Sequence, residues 1–489
     1  MAGKGRPFSW LNPVPLWRSR NDRVSRLLGD PTNDQRRAWM RQLGLPVGPD
    51  PTADYADRAE VSFIVMGDTG EGDDSQRALV KPLLSASEGN AFLFICSDVI
   101  YPAGEVEEYG PKFFEPYREL PGPIYAIPGN HDWYDGLVGF MFHFCGAESA
   151  PAPPKPRSLR ALARAVLSSR ARTPDAAKVA AMRALRSAPS QQGGQPAPYL
   201  AIDAGPLRLI GIDTGISGVI DREQAMWLRR VSGESDRPKI LLTGKPIYVD
   251  GTYREGRIEG EGSVDEIVCA PEHNYIAAVG GDIHNYQRYP VRLPDGRVIQ
   301  YIVSGGGGAF MHATHSIPRI DPQQAGGVTE DEFRCYPLRG DSLSIYSKLY
   351  GRKLGPLGRG MMIPADEAAA IVAKRLGITP ARPGARAAVP SKRAERAAKV
   401  LFRLPGRARG ALHFPFSEFL DWNDPPLFKS FLRIDATTGD VRIRCFAATG
   451  CREHEERPPL EDSIRAQRAP DGEWRWTSES PTGSERDHG

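Results

Sequence analysis

The chain has 489 residues, of which 40% are hydrophobic and 25% charged, with a formal net charge of +3. This is ordinary globular composition with enough apolar material for a large core, and at this length so small a charge selects no partner. No unbroken apolar run reaches the roughly eighteen residues of a spanning helix, and the amino-terminal MAGKGRPFSWLNPVPLWRSRND holds no export-type apolar stretch. The six cysteines are far apart with no CxxC pair, which argues against a zinc ribbon or a secreted disulfide framework and makes the reducing cytoplasm the expected compartment.

In chain order, residues 1–58 read as an amino-terminal extension. From about residue 61 to 305, short apolar runs recur, each closing on polar or glycine-rich residues: VSFIVMGD, AFLFICSD, PIYAIPGN, LRLIGIDTG, KILLTGK, YIAAVGGD and VIQYIVSGGGG. Their length and their β-branched and aromatic content predict buried strands. DSQRALVKPLLSAS (74–87) and DREQAMWLRRVSG (221–233, with Asp221 as cap) predict helices between them. Strands alternating with helices indicate α/β layers, so residues 59–325 are expected to form one core. Two basic, proline- or glycine-flanked stretches interrupt it, 151–195 and 326–424, and both read as helical insertions. They are either solvated surface helices or basic covers that meet an anionic substrate or a membrane surface. Neither interleaves aromatics with its basic residues as a stacking platform would, so nucleic acid is not an expected partner. Residues 425–450 are expected to return to the core as a β-hairpin, and 451–489 to form a polar tail.

In open α/β sheets, ligands bind beyond the carboxyl ends of the strands. Those ends carry Asp68, then Asp98 and Tyr101 in CSDVIYP, then GNHD at 129–132, then GDIHNYQR at 281–288. An aspartate after one strand is commonly a turn or helix cap. The ordered set, each member following an apolar strand, points to metal and phosphate chemistry.

The pattern resembles the calcineurin-like metallophosphoesterases, and among them the purple acid phosphatases. The motifs are GDTG (67–70), SDVIY (97–101), GNHD (129–132), LLTGKP (241–246) and GDIH (281–284). The resemblance spans roughly residues 60–310 plus the carboxyl hairpin. It implies an α/β (α+β) fold, a four-layer β-sandwich flanked by helices, here with helical insertions. It also implies divalent or trivalent metal ions, two of them, drawn from manganese, iron, zinc and magnesium. By the same resemblance Asp68, Asp98, Tyr101 and His284 hold the first metal. Gly70 stands where most of the wider family has a histidine, and Tyr101 takes that place; tyrosine ligation suits ferric iron. Asp98 would bridge to the second metal, which Asn130 and Asp282 would help to hold. His131 would contact phosphate and protonate the leaving oxygen, and Asp132 would orient its ring.

The departure lies at the second metal, where the family's two histidines are Gly244 and Asp282. Three readings stay open. A second metal still binds, with His312 or His315 from SGGGGAFMHATH filling the gap and an oxygen-rich set favouring harder ions. Alternatively, the ammonium of Lys245 stands in for that metal. In the last, catalysis is lost and the chain is a phosphate-binding or scaffolding protein. Arg288 either helps neutralise phosphate or holds its loop by a salt bridge. The expected function is metal-dependent hydrolysis of a phosphoester substrate by metal-activated water.

Overall fold

The computed structural model describes residues 12–152, 156, 158–169, 171–186, 194–353, 355–380, 386, 388–403, 428–447 and 459–479. Two sheets face each other. One has eight strands in the spatial order Thr52–Tyr55, Leu200–Ala204, Leu207–Ile212, Lys239–Thr243, Tyr275–Gly280, Val298–Ser304, Tyr286–Arg292 and Arg334–Tyr336. The other has seven: Trp474–Ser478, Leu460–Arg468, Asp440–Ala447, Ser430–Thr437, Glu60–Met66, Phe92–Ile95 and Ile124–Ala126.

Alternation along the strands builds the layers. In Glu60–Met66, Phe63 and Val65 point into the space between the sheets, where they join Phe94, Leu209, Leu242, Val279 and Ile302. Ile64 and Met66 point the other way, onto Leu79 and Leu83 of the helix Asp74–Ala86. On the far sheet, Ile210, Ile212 and Leu241 turn outward onto Trp227, Leu228 and Val231 of the helix Arg222–Gly233. The result is helices, sheet, sheet, helices: the expected four-layer sandwich flanked by helices. Each fully buried apolar side chain contributes on the order of 1.5–3 kcal/mol of transfer free energy. Asp221 caps its helix as expected, accepting from Gln224 N at 2.8 Å.

The expected boundaries need correction at several places. Residues 1–58 are not an appendage in their described part. Thr52–Tyr55 is an edge strand of the eight-stranded sheet, and Arg36 of the helix Thr32–Gln42 is buried against Asp213 and Asp221 at 2.7 and 2.8 Å. The expected polar tail contains two strands, Leu460–Arg468 and Trp474–Ser478, which extend the seven-stranded sheet beyond the hairpin. Residues 451–458 and 480–489 of that tail lie outside the described residues, as do 354, 381–385, 387 and 404–424 of the second insertion and parts of the first.

The described parts of the two insertions differ in how far they are buried. In the second, the helices Arg339–Lys353, Ala365–Leu376 and Lys392–Arg403 bury Leu343, Tyr346, Val372 and Leu401 in the central apolar layer. In the first, Arg186 is buried and donates to the carbonyls of Tyr117, Leu120 and Gly122, while Arg160 donates to Leu27 O at 2.5 Å. The expectation of solvated helices holds in the first insertion, where Leu159–Leu167 has no buried residue and Ala176–Arg183 buries only Val179, and fails in the second, whose apolar spacing packs it into the core. No described helix is long and apolar enough to cross a membrane.

Candidate metal centre

The parallel strands of both sheets end at one edge, and their following residues form the site. Asp68 follows Glu60–Met66, Asp98 follows Phe92–Ile95, and Asn130–His131–Asp132 follows Ile124–Ala126. From the opposite sheet come Lys245 after Lys239–Thr243 and Asp282 and His284 after Tyr275–Gly280. Asp68, Asp98 and Asp282 all have positive φ, at 61°, 28° and 65°. Left-handed backbone at a residue with a Cβ is costly and recurs at functional turns.

The tyrosine oxygen is the hub of a quartet. Tyr101 Oη lies 3.1 Å from Asp98 Oδ2, 3.1 Å from His284 Nε2 and 3.4 Å from Asp68 Oδ1. His284 Nε2 lies 3.8 Å from Asp68 Oδ1. A cation with bonds of about 2.1 Å places its ligand atoms roughly 3.0–3.4 Å from one another, so three of these separations match edges of a coordination shell. Among the described residues no three His, Cys, Asp or Glu side chains form a metal-holding group by themselves; the tyrosine draws this set together. His284 donates its Nδ1 proton to Phe310 O at 2.6 Å, which turns the Nε2 lone pair toward the quartet. Burial, and after it the neighbouring His312, hold the His284 pKa well below the ordinary histidine value, so the ring is neutral as a metal ligand must be.

The electrostatics call for a cation. Burial and then the charges of Asp98 and Asp282 push the Asp68 carboxyl well above its usual range, and burial raises Asp98 as well. The Tyr101 phenol is raised by burial and by the same two aspartates, Asp98 and Asp68. Asp68 Oδ2 is enclosed without a well-formed hydrogen bond. A bound cation would reverse each of these shifts. Two carboxylates, a phenol and a neutral imidazole fit the first metal position. Gly70 is explained on the same grounds: a Cβ there would stand 1.9 Å from Val99 O, so the loop carrying Tyr101 packs where a side chain would be.

His131 and Asp132 divide their work differently from the expectation. The His131 ring donates its Nδ1 proton to Pro102 O at 2.8 Å, and its backbone N–H donates to Asp98 Oδ1 at 2.8 Å. Asp132 does not orient that ring. Its buried carboxylate accepts from the N–H groups of Val99, Ile100 and Gly129 at 2.9, 3.1 and 3.0 Å, tying the SDVIY and GNHD loops together. Asn130 donates its amide to Tyr134 Oη at 2.9 Å.

The second metal position does not fit. Gly244 offers no donor, and a Cβ there would meet Thr214 Oγ1 at 2.7 Å and Pro128 O at 3.3 Å. Asp282 Oδ1 is held by Lys245 Nζ at 2.6 Å. His312 stacks on His284, with ring centroids 4.3 Å apart, and accepts from its backbone N–H at 3.0 Å. His315 pairs with Ser342 Oγ at 2.9 Å and packs near Tyr346. Arg288 is paired with Asp462 through contacts of 2.6 and 3.3 Å, both residues buried, so it is the salt bridge and not the phosphate contact.

Two contributors were missed by sequence reasoning. Thr214 fills the space beside Gly244, and Phe310 supplies the carbonyl that fixes His284. Thr214 had a visible signal, since DTG at 213–215 closes an apolar strand as GDTG does at 67–70. Phe310 acts through its backbone, which leaves no trace in residue type.

Residues 61–286 match the model of the calcineurin-like phosphoesterase family. Among solved structures, the chain is similar to purple acid phosphatase PPD1 from yellow lupin (Lupinus luteus) seeds at 10% identity and a TM-score of 0.38, over 87% of this chain and 56% of that one. It is also similar to PhoD at 10% identity and a TM-score of 0.41, over 89% of this chain and 74% of that one. The chain thus spans little more than half the length of the lupin protein, and no curated protein matches it. Over residues 61–286, just under half of its length, the chain is similar to the calcineurin-like phosphoesterases.

Proposed function

We propose that the protein is a metal-dependent phosphoester hydrolase. The observation that carries this reading is the quartet of Asp68, Asp98, Tyr101 and His284, gathered around one phenol oxygen at the carboxyl ends of the strands. A metal ion held there would lower the pKa of a water and neutralise charge on the phosphoryl oxygens. Three oxygens and one nitrogen favour manganese or iron over softer ions.

The chain's own residues do the rest. Asp98 holds the His131 backbone and the Tyr101 phenol at once, so the acid and the ligand set are positioned by one carboxylate. With its Nδ1 proton held on Pro102 O, His131 presents Nε2 as the ring atom that would take up a proton and pass it to the leaving oxygen. Asp132 keeps the two loops in register through three backbone N–H groups. The scattered thiols, with Cys96, Cys145 and Cys445 buried, support a cytoplasmic location in this reading.

The test is hydrolysis of p-nitrophenyl phosphate and bis(p-nitrophenyl) phosphate by protein loaded with manganese or iron. Turnover that requires the metal is expected. Bound metal and phosphate with no turnover on either ester would favour a phosphate-binding scaffold instead.

A further inference from the structure

Resting on that reading, we propose that the centre binds one metal ion and that the Lys245 ammonium, seated on Asp282, takes the second cation's place and binds the phosphoryl group. Three observations converge. The Gly244 position has no donor, and Thr214 fills the adjoining space. Asp282, the carboxylate left at the second position, has its Oδ1 2.6 Å from Lys245 Nζ. Exposure is also ordered: the Asp68 side chain is 0% exposed, whereas Lys245 is 28% and Asp282 25% exposed. The ammonium therefore sits on the side from which a substrate arrives.

Lys245 brings a fixed positive charge to the Asp282 carboxylate, where a second cation would otherwise be needed. An ammonium has three donors, of which Asp282 Oδ1 takes one, so it can anchor a phosphoryl oxygen without leaving its seat.

The full chain, purified without chelator and loaded with excess manganese, is assayed for metal content by elemental analysis and for inorganic phosphate affinity by calorimetry. One metal per chain is expected. Lys245→Met should keep at least that metal content and weaken phosphate binding by roughly ten- to a hundredfold, as loss of a charge-assisted hydrogen bond does. Lys245→Gln serves if the Met variant fails to fold. Two metals in the unaltered chain would overturn this inference and leave the hydrolase reading intact. No bound metal would remove both. Unchanged phosphate affinity in a folded Lys245 variant would overturn the ammonium's role alone.

Discussion

Asp98 receives the His131 backbone N–H on one oxygen at 2.8 Å and the Tyr101 hydroxyl on the other at 3.1 Å. Asp98→Asn keeps that shape and removes the charge. The expected result is a folded protein with less bound metal and hydrolysis reduced by about 10²–10³-fold, the scale of losing a preorganised electrostatic group. Unreduced turnover would show that Asp98 is not a ligand. Gly244 tests sterics in place of charge. Gly244→His pushes a Cβ to 2.7 Å from Thr214 Oγ1, an overpacking that should cost on the order of 1–3 kcal/mol in urea unfolding. Thr214→Ala in the same chain should recover most of it, and an equal loss with and without Thr214→Ala would contradict the crowding. At this scale the candidate quartet was legible in the sequence, because its members lie in the loops that follow apolar strands. The roles of Asp132 and Arg288 were not. Their partners are backbone N–H groups and an aspartate in the last strands, and neither kind of partner leaves a local pattern.

Single contacts also decide which elements belong to the core. The helix Thr32–Gln42 is pinned by Arg36, whose guanidinium bridges Asp213 and Asp221 while Asp213 accepts from Trp133 Nε1 at 3.0 Å. That helix is thereby linked to Trp133, the residue after GNHD. Arg36→Met leaves two buried aspartates unpaired and should lower unfolding free energy by about 3–5 kcal/mol. A loss below 1 kcal/mol would mean that the pair is solvated in solution. Long β-branched strands were readable because they are buried on both faces. Leu460–Arg468 was not: its buried Ser463, Ile464 and Ala466 alternate irregularly with charges, so LEDSIRAQR looks like a tail until its neighbour is known. Thr52–Tyr55 has the weakness of short edges, with a single buried residue, Tyr55, to mark it.

At the scale of the whole molecule, burial sets how stability follows pH, and two classes of group pull in opposite directions. Buried carboxyls such as Asp135, raised well above their usual range chiefly by burial, favour the folded chain at low pH and weaken it as pH rises. His143 acts the other way. It is buried against Tyr109 and Phe114, donates from Nε2 to Val106 O at 3.2 Å, and its pKa is lowered to about 3, first by burial. In the unfolded chain it takes a proton near the ordinary value of about 6.5, whereas the folded chain resists that proton down to about 3. Its stabilising contribution is complete above about pH 6.5 and is lost as pH falls toward 3, with a slope of up to about 1.4 kcal/mol per pH unit. His312, also lowered to about 3, adds a slope of the same sign. The measurement is urea unfolding of metal-free chain at half-unit steps from pH 7.5 to 4.5, for the unaltered protein and for His143→Phe, which keeps the ring. The difference between the two should shrink steadily as pH falls below 6.5, because the variant has no proton to gain. A difference constant across that range would mean that His143 is charged in the folded protein, and that the Tyr109–Phe114 pocket is wet.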